Sequence, residues 1–415
     1  MKPLARSRIF IARAAALALA LLASPALLVN QASATTWTFT GADPSFGTYW
    51  SQTPNWDLGT TPTSANTTDI IISGTTNVGS MIWHDLTNPL TIRSLTFADS
   101  NDAATTLYLS RTVVGASPKP FIFSSDTGNA TLTVEAGSTG NKLVTSAIAG
   151  STITLTSSLN IVHNGSGNLT IGGNAIFTGA GNITKSGTGT LILSGNNTYT
   201  GATTISAGTL KAGSATGISS ASTLNATGGV LDLNGFNATV AAVGVGNAAG
   251  TITNSASGSG TNTLTITNYN VNLATLITDG ATAKTAVTLY NNGGATALSN
   301  ANNTFSGGLI LAYPGSGGGA RLYQGSVTNT LVNGTLTKSN LGTGTVYIGA
   351  NGSTAAGQLM LNSGSVYNNI IVNAATYSDG GSAAFRIDGT VAFYGTLTAG
   401  ASDINMSSAS IYFTK

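Results

Sequence analysis

Gly179 to Gly213 reads GAGNITKSGTGTLILSGNNTYTGATTISAGTLKAG, and the fold is decided here. Short apolar strands alternate with Gly and Asn turns, and no group in the stretch is suited to catalysis. Gly189-Thr190-Leu191 returns as Gly208-Thr209-Leu210, and a related Gly229-Val230-Leu231 follows. Steps of roughly 20 residues belong to chains in which one strand-and-turn unit buries its apolar side against the next. Stacked coils are therefore expected, each repeat supplying one.

Three runs sharpen this: Ile183-Thr184-Lys185-Ser186-Gly187-Thr188-Gly189-Thr190-Leu191, Leu193-Ser194-Gly195-Asn196-Asn197-Thr198-Tyr199-Thr200-Gly201 and Ser206-Ala207-Gly208-Thr209-Leu210. Together they resemble the autotransporter-associated β-strand repeat, also called the passenger-associated-transport repeat. A weaker echo is Asn302-Asn303-Thr304-Phe305-Ser306-Gly307, followed by Leu341-Gly342-Thr343-Gly344-Thr345-Val346. The resemblance implies an all-β, right-handed parallel β-helix, exported and displayed or shed by a Gram-negative-type bacterium. It brings no catalytic residues with it.

Residues 1–34 have the organisation of a secretory signal peptide. Lys2, Arg6, Arg8 and Arg13 make a basic start, Ala14 to Ala23 an apolar run, and Ala32-Ser33-Ala34 a small-residue cleavage site. Ser24 and Pro25 interrupt the apolar run before it reaches the roughly 20 residues of a membrane span. Cleavage after Ala34 removes four basic residues and no acidic ones, so the mature chain carries 11 Lys plus Arg against 13 Asp plus Glu, a net −2. The pI near 8.7 thus describes the precursor, and no basic patch points to nucleic acid. With 41% hydrophobic residues and regular β-branched alternation the chain reads as folded rather than disordered. It has no cysteine, so its stability must come from stacking.

Residues 35–110 form a leader holding Trp37, Trp50, Trp56 and Trp83. These large rings suit a cap that plugs the open N-terminal end of a solenoid; the functional alternative is a sugar-stacking platform. Residues 111–415 are expected to be the β-helix, with the family-like repeat at 179–213. Strands beginning at Thr131, Thr152, Asn168 and Thr190 follow each other at intervals of roughly 20 residues. In Thr152 to Thr156, Ile153 and Leu155 should point inward and the threonines outward; Ile192 breaks the alternation around it. Gly344-Thr345-Val346, Gly364-Ser365-Val366 and Gly389-Thr390-Val391 carry the period towards the C-terminus, and Ala312 to Gly319 reads as a projecting loop. At roughly 20 residues per coil, the part after the leader would make about 15 coils.

Parallel β-helices also carry polysaccharide lyases and hydrolases, so the catalytic groups such enzymes need bear on the reading. Asp379 and Asp388, nine residues apart, are the close acidic pair of the repeat region, and at that spacing they need not share a face for glycoside hydrolysis. Asp232 and Asp279 read as outward strand residues or turn formers. His84 and Asp85 put a base beside a carboxylate, but strand neighbours point to opposite faces. With His163 the only other histidine and no cysteine, a zinc site is not indicated. Gly172-Gly173-Asn174 and Gly293-Gly294-Ala295 lack the acidic ligand of a calcium roll. Asn196-Asn197 and Asn302-Asn303 read as turn residues able to stack as amide ladders. No catalytic, cofactor-binding or metal-binding residue is assigned, and no cofactor is expected.

The sequence thus leads to a secreted or surface-displayed, non-enzymatic β-helix with a structural or adhesive role at the cell envelope. Its expected partners are glycans or other envelope proteins, and the alternative is a polysaccharide-binding or polysaccharide-degrading β-helix. No run of barrel strands with aromatic girdles precedes Lys415, which leaves the means of anchoring and the oligomeric state open.

Overall fold

The computed structural model describes residues 34–42, 48–73, 81–86, 88–98, 104–110, 118–244, 249–268, 272–290, 295–312, 321–349, 358–373, 385–399, 404–405 and 410–413. The signal-peptide segment and Asp379 lie outside them, as does the expected loop at 312–319 apart from Ala312, which ends the strand Leu309–Ala312. Apart from one 3-10 turn, Thr53–Asn55, the described regular structure is all strand. No described helix is long and apolar enough to cross a membrane.

Three neighbouring strands show the architecture. Leu159–His163, Asn168–Ile171 and Ala175–Gly179 follow each other in the chain, yet they lie in three different sheets. Each pairs in parallel with a strand one coil away: Leu159 with Ile183, Leu169 with Leu191, and Ala175 with Ser151. This is a parallel β-helix solenoid. The first face is a nine-stranded sheet from Thr35–Phe39 to Ala242–Val243, and the second a nine-stranded sheet from Met81–Trp83 to Leu276–Ile277. The third begins with four strands, from Leu90–Ile92 to Ala175–Gly179. Beyond these, a seven-stranded sheet starting at Ala238–Val240 and a six-stranded sheet starting at Ala295–Thr296 continue the stack.

Alternation along each strand builds the interior. Ile153 and Leu155 are buried while Thr152 and Thr154 are half-buried, and the inward aliphatics of every coil join one continuous core. Leu191 and Leu193 point inward, so Ile192 takes the outer position between them. The Gly-Thr-Leu recurrence marks true equivalence: Thr190 pairs with Thr209 and Leu191 with Leu210, then Leu210 with Leu231.

Other spacings are not coil lengths. The strands at Thr131, Thr152, Asn168 and Thr190 fall on the first, third, second and second faces, so their offsets mix steps around the coil with steps along it. Val346 pairs with Ile370 in one sheet, whereas Gly364 pairs with Val391 in another. The step along one face is as short as Leu191 to Leu210 and as long as Leu309 to Val346, nearly twice the length. Many described coils therefore exceed the expected length of roughly 20 residues, so the part after the leader holds fewer of them than the roughly 15 expected. Between Leu309 and Val346 lies a feature that the repeat pattern does not foretell, an antiparallel hairpin of Asn329–Val332 and Thr335–Ser339. Its turn is Asn333-Gly334, with φ of 51° and 79°, and Asn-Gly between apolar runs is the strongest short hairpin signal.

Candidate functional site

Lys185 is the least expected side chain of the family-like repeat. In the first face it pairs with Ile161 on one side and Ile205 on the other, an inward register, and it is fully buried. A buried ammonium must spend all three of its protons on acceptors. Its Nζ donates to the carbonyls of Ser186 at 2.8 Å, Gly187 at 2.9 Å and Ala207 at 3.3 Å. The first two belong to its own turn and the third to the turn of the next coil, so the side chain ties successive corners together. Burial lowers its pKa to about 8. Gly187 and Gly208 hold positive φ in these turns, and a Cβ on Gly208 would lie 2.4 Å from the Gly187 oxygen and 2.8 Å from Lys185 Nζ. Glycine is what lets the corners close over the ammonium.

His163 sits one coil earlier, also buried. Its Nε2–H donates to the Gly167 carbonyl at 2.8 Å, which leaves Nδ1 bare, and that atom has no partner. Burial lowers its pKa to about 4; the hydrogen bond to the Gly167 carbonyl opposes this, and the charges of Lys185 and Lys142 add to the lowering. His163 is thus neutral near pH 7 and serves as packing. The ring lies against Gly189, where a Cβ would come within 2.7 Å of it.

A second interior device is Asn197. Its Oδ1 accepts the Phe177 N–H at 2.8 Å and its Nδ2 donates to the Gly217 carbonyl at 2.6 Å, while the next residue, Thr198, donates its N–H to the Phe177 carbonyl at 2.9 Å. The side-chain amide stands in for a peptide group where the third face has no strand. Asn303 repeats this: Oδ1 accepts the Ile277 N–H at 2.9 Å, Nδ2 donates to the Asn340 carbonyl at 3.0 Å, and Thr304 N–H donates to the Ile277 carbonyl at 3.0 Å. Tyr199 and Phe305 follow at equivalent places and are fully buried. These asparagines therefore bond to main chain in the coils before and after. They do not stack on one another, and neither has positive φ. Tyr199 adds a buried relay, its hydroxyl 2.7 Å from Thr203 Oγ1, which is 2.8 Å from Ser222 Oγ.

At the N-terminal end, Trp37, Trp50 and Trp56 are buried. Trp50 packs edge-on against Trp56 at 5.4 Å and His84 at 5.1 Å, and Phe39 packs against Trp56 at 5.1 Å. The Trp56 Nε1–H donates to the Trp50 carbonyl at 2.8 Å. Rings sealed in this way offer no face to a sugar. Trp83 differs: it is half-buried and stacks on Tyr108 at 4.0 Å with planes 10° apart. His84 is buried, its Nδ1 is 3.0 Å from the Leu109 carbonyl, and Nε2 has no partner. Burial lowers its pKa. Asp85 turns away and accepts the N–H and Oγ–H of Ser51 at 2.8 and 2.6 Å. The two neighbours lie just beyond the strand Met81–Trp83 and point apart, and no triad is assembled.

The carboxylates serve the coil walls. Asp232 holds Ser255 N–H at 2.8 Å and ion-pairs with Lys211 at 3.2 Å, its side chain nearly covered. Its register is that of outward Lys211 and it accepts the Asn234 N–H at 2.9 Å in the following turn, as an outward turn former would, yet its partners bury it. Asp279 accepts the N–H groups of Thr285 at 2.7 Å and Ser306 at 3.1 Å. Asp388 pairs with Arg386 on its own strand. Among the described residues no three acidic or histidine side chains converge to hold a metal ion.

Residues 183–212 match the family model of the passenger-associated-transport-repeat. The match spans Lys185, both corner glycines and Asn197. No curated protein and no solved structure matches the chain.

Proposed function

We propose that this protein is a secreted or surface-displayed, non-enzymatic β-helix of autotransporter-passenger type, acting as a structural or adhesive element of the cell envelope. The observation that carries this is the passenger-associated-transport-repeat at 183–212, whose strands are in register with the coil before it, Leu169 to Leu191, and the coil after it, Leu210 to Leu231. A repeat embedded in a continuous ladder gains its stability from its neighbours, which suits a chain that stiffens coil by coil outside the cell and presents a long polar wall. The buried amides, the ammonium and the wall carboxylates are engaged in holding coils together, which supports a scaffold over a catalyst. Expression in a Gram-negative host, followed by fractionation, N-terminal sequencing and protease shaving of whole cells, tests it. The expected product lies outside the cytoplasm and begins at Thr35; a cytoplasmic product that retains Met1 would overturn the proposal. Partners are expected among extracellular glycans or envelope proteins. The half-buried Trp83–Tyr108 stack favours a glycan as the alternative, and a glycan array with a reducing-sugar assay on the same material separates binding from cleavage.

A further inference from the structure

Three Asn-Gly dipeptides lie among the described residues: Asn164-Gly165, Asn234-Gly235 and Asn333-Gly334. They share one chemistry. When the glycine nitrogen loses its proton it can attack the Asn side-chain carbonyl carbon, because glycine has no Cβ to block the approach. Structure separates the three by whether the nitrogen and the amide are hydrogen-bonded and by whether the glycine is buried between coils.

At Asn234 both reacting groups are engaged. The Gly235 N–H donates to Asn254 Oδ1 at 2.9 Å, and Asn234 Nδ2 donates to the Ala212 carbonyl at 2.9 Å. At Asn164 the glycine is buried, and a Cβ on Gly165 would lie 2.2 Å from the Ser138 oxygen of the coil before, so the peptide is clamped between coils. Asn333 and Gly334 are both exposed, and nothing lies within 4 Å of a Cβ built on Gly334. Among the described residues the Gly334 N–H donates to no acceptor, since the ladder of the hairpin is closed by Val332 and Thr335 on either side of the turn. Asn234 and Asn333 have the same left-handed backbone, φ 49° and 51°. Backbone conformation therefore does not distinguish them; engagement does.

We propose that Asn333 is a site of spontaneous modification, at which the chain converts its own side-chain amide to aspartate and isoaspartate while Asn234 and Asn164 are protected. The Gly334 nitrogen gives its proton to water or hydroxide and bonds to Asn333 Cγ. The Cγ–Nδ2 bond breaks, and ammonia leaves with the proton returned to it. The resulting succinimide takes up one water. Opening at Cγ gives aspartate, and opening at the Asn333 main-chain carbonyl gives isoaspartate; no oxidant or reductant is needed. Either product adds a negative charge at the hairpin tip, beside exposed Leu331 and Val332. Isoaspartate also lengthens the main chain within a two-residue turn whose register depends on its length.

The test needs the unmodified full chain. Folded protein and protein in denaturant are incubated at mildly alkaline pH, digested with trypsin, and followed residue by residue by tandem mass spectrometry, with isoaspartate detected by enzymatic methylation. The fragment Leu322 to Lys338 isolates Asn333. In denaturant the three sites should convert at similar rates. Folding should leave the Asn333 rate within about twofold and slow Asn234 and Asn164 about tenfold or more, since their reaction must wait for a local opening. Asn333→Gly keeps a turn compatible with positive φ and should remove the converted product from that fragment. Folding that slows Asn333 as much as Asn234 overturns the proposal, as does equal conversion of all three in the folded protein.

Discussion

Asn197→Ala is expected to be among the most damaging truncations of a polar side chain in this protein. The change deletes both an acceptor and a donor and leaves two buried main-chain groups, the Phe177 N–H and the Gly217 carbonyl, without partners. A buried group deprived of its partner costs about 1 to 3 kcal/mol, so the pair amounts to roughly 2 to 6 kcal/mol, the lower figure applying if water enters the gap. Asn196→Ala, one residue earlier and exposed, should change stability by no more than about 0.5 kcal/mol. Because a solenoid can open over part of its length, urea unfolding should be paired with amide hydrogen exchange. The hydrogen-bonded Phe177 N–H should be protected in the parent and exchange far faster in Asn197→Ala, with the midpoint lowered. Asn303→Ala should do the same to the Ile277 N–H. Full protection of Phe177 in Asn197→Ala, with a midpoint matching Asn196→Ala, would refute the idea that a side-chain amide replaces a rung of the ladder.

Two further outcomes follow from the same geometry. Deleting Gly189 to Ala207 should leave a folded, shorter stack, because it brings Leu169 against Leu210 and Ile183 against Leu224, each already one coil removed through Leu191 and Thr203. Deleting only Gly189 to Thr198 strips a second-face strand and the buried Leu191 and Leu193, at about 1.5 to 3 kcal/mol each; equal damage from both, by circular dichroism and limited proteolysis, would contradict the coil assignment. The other outcome is a pH profile. His163 has a folded pKa of about 4 against 6.5 for the free group, so the unfolded chain takes up the proton first and stability falls as pH drops from 6.5 to 4, by up to about 3 kcal/mol. Lys185, at about 8 against 10.5, acts at the other end: the penalty for its buried charge is complete below pH 8 and is relieved as pH rises towards 10.5. His163→Gln should shrink the acid limb and leave the part due to His84, whose pKa is also lowered by burial; an unchanged acid limb measured by urea midpoints would rule out His163.

What the sequence determined by itself is what depends on neighbours in the chain. Inward Ile153 and Leu155 with outward threonines follow from the two-residue period of a strand, and the equivalence of Leu191, Leu210 and Leu231 follows from similar turn chemistry before each. His84 and Asp85 also diverge, but they lie past the end of the strand Met81–Trp83, so the two-residue period is not what separates them. The Asn333-Gly334 hairpin signal was present in the letters but lay outside the repeat pattern. Tertiary structure decided the rest. That the strands at Thr131, Thr152 and Asn168 occupy three different faces depends on how far each turn bends, which spacing alone does not encode. Alternation puts Lys185 on the inner face with Ile183, but only the closed coil shows that carbonyls from two successive corners converge to hold its ammonium. Asn197 likewise becomes a rung only because Phe177 and Gly217, each 20 residues away, arrive above and below it. A buried polar group is tolerated where partners surround it, and in a solenoid those partners come from the coils on either side.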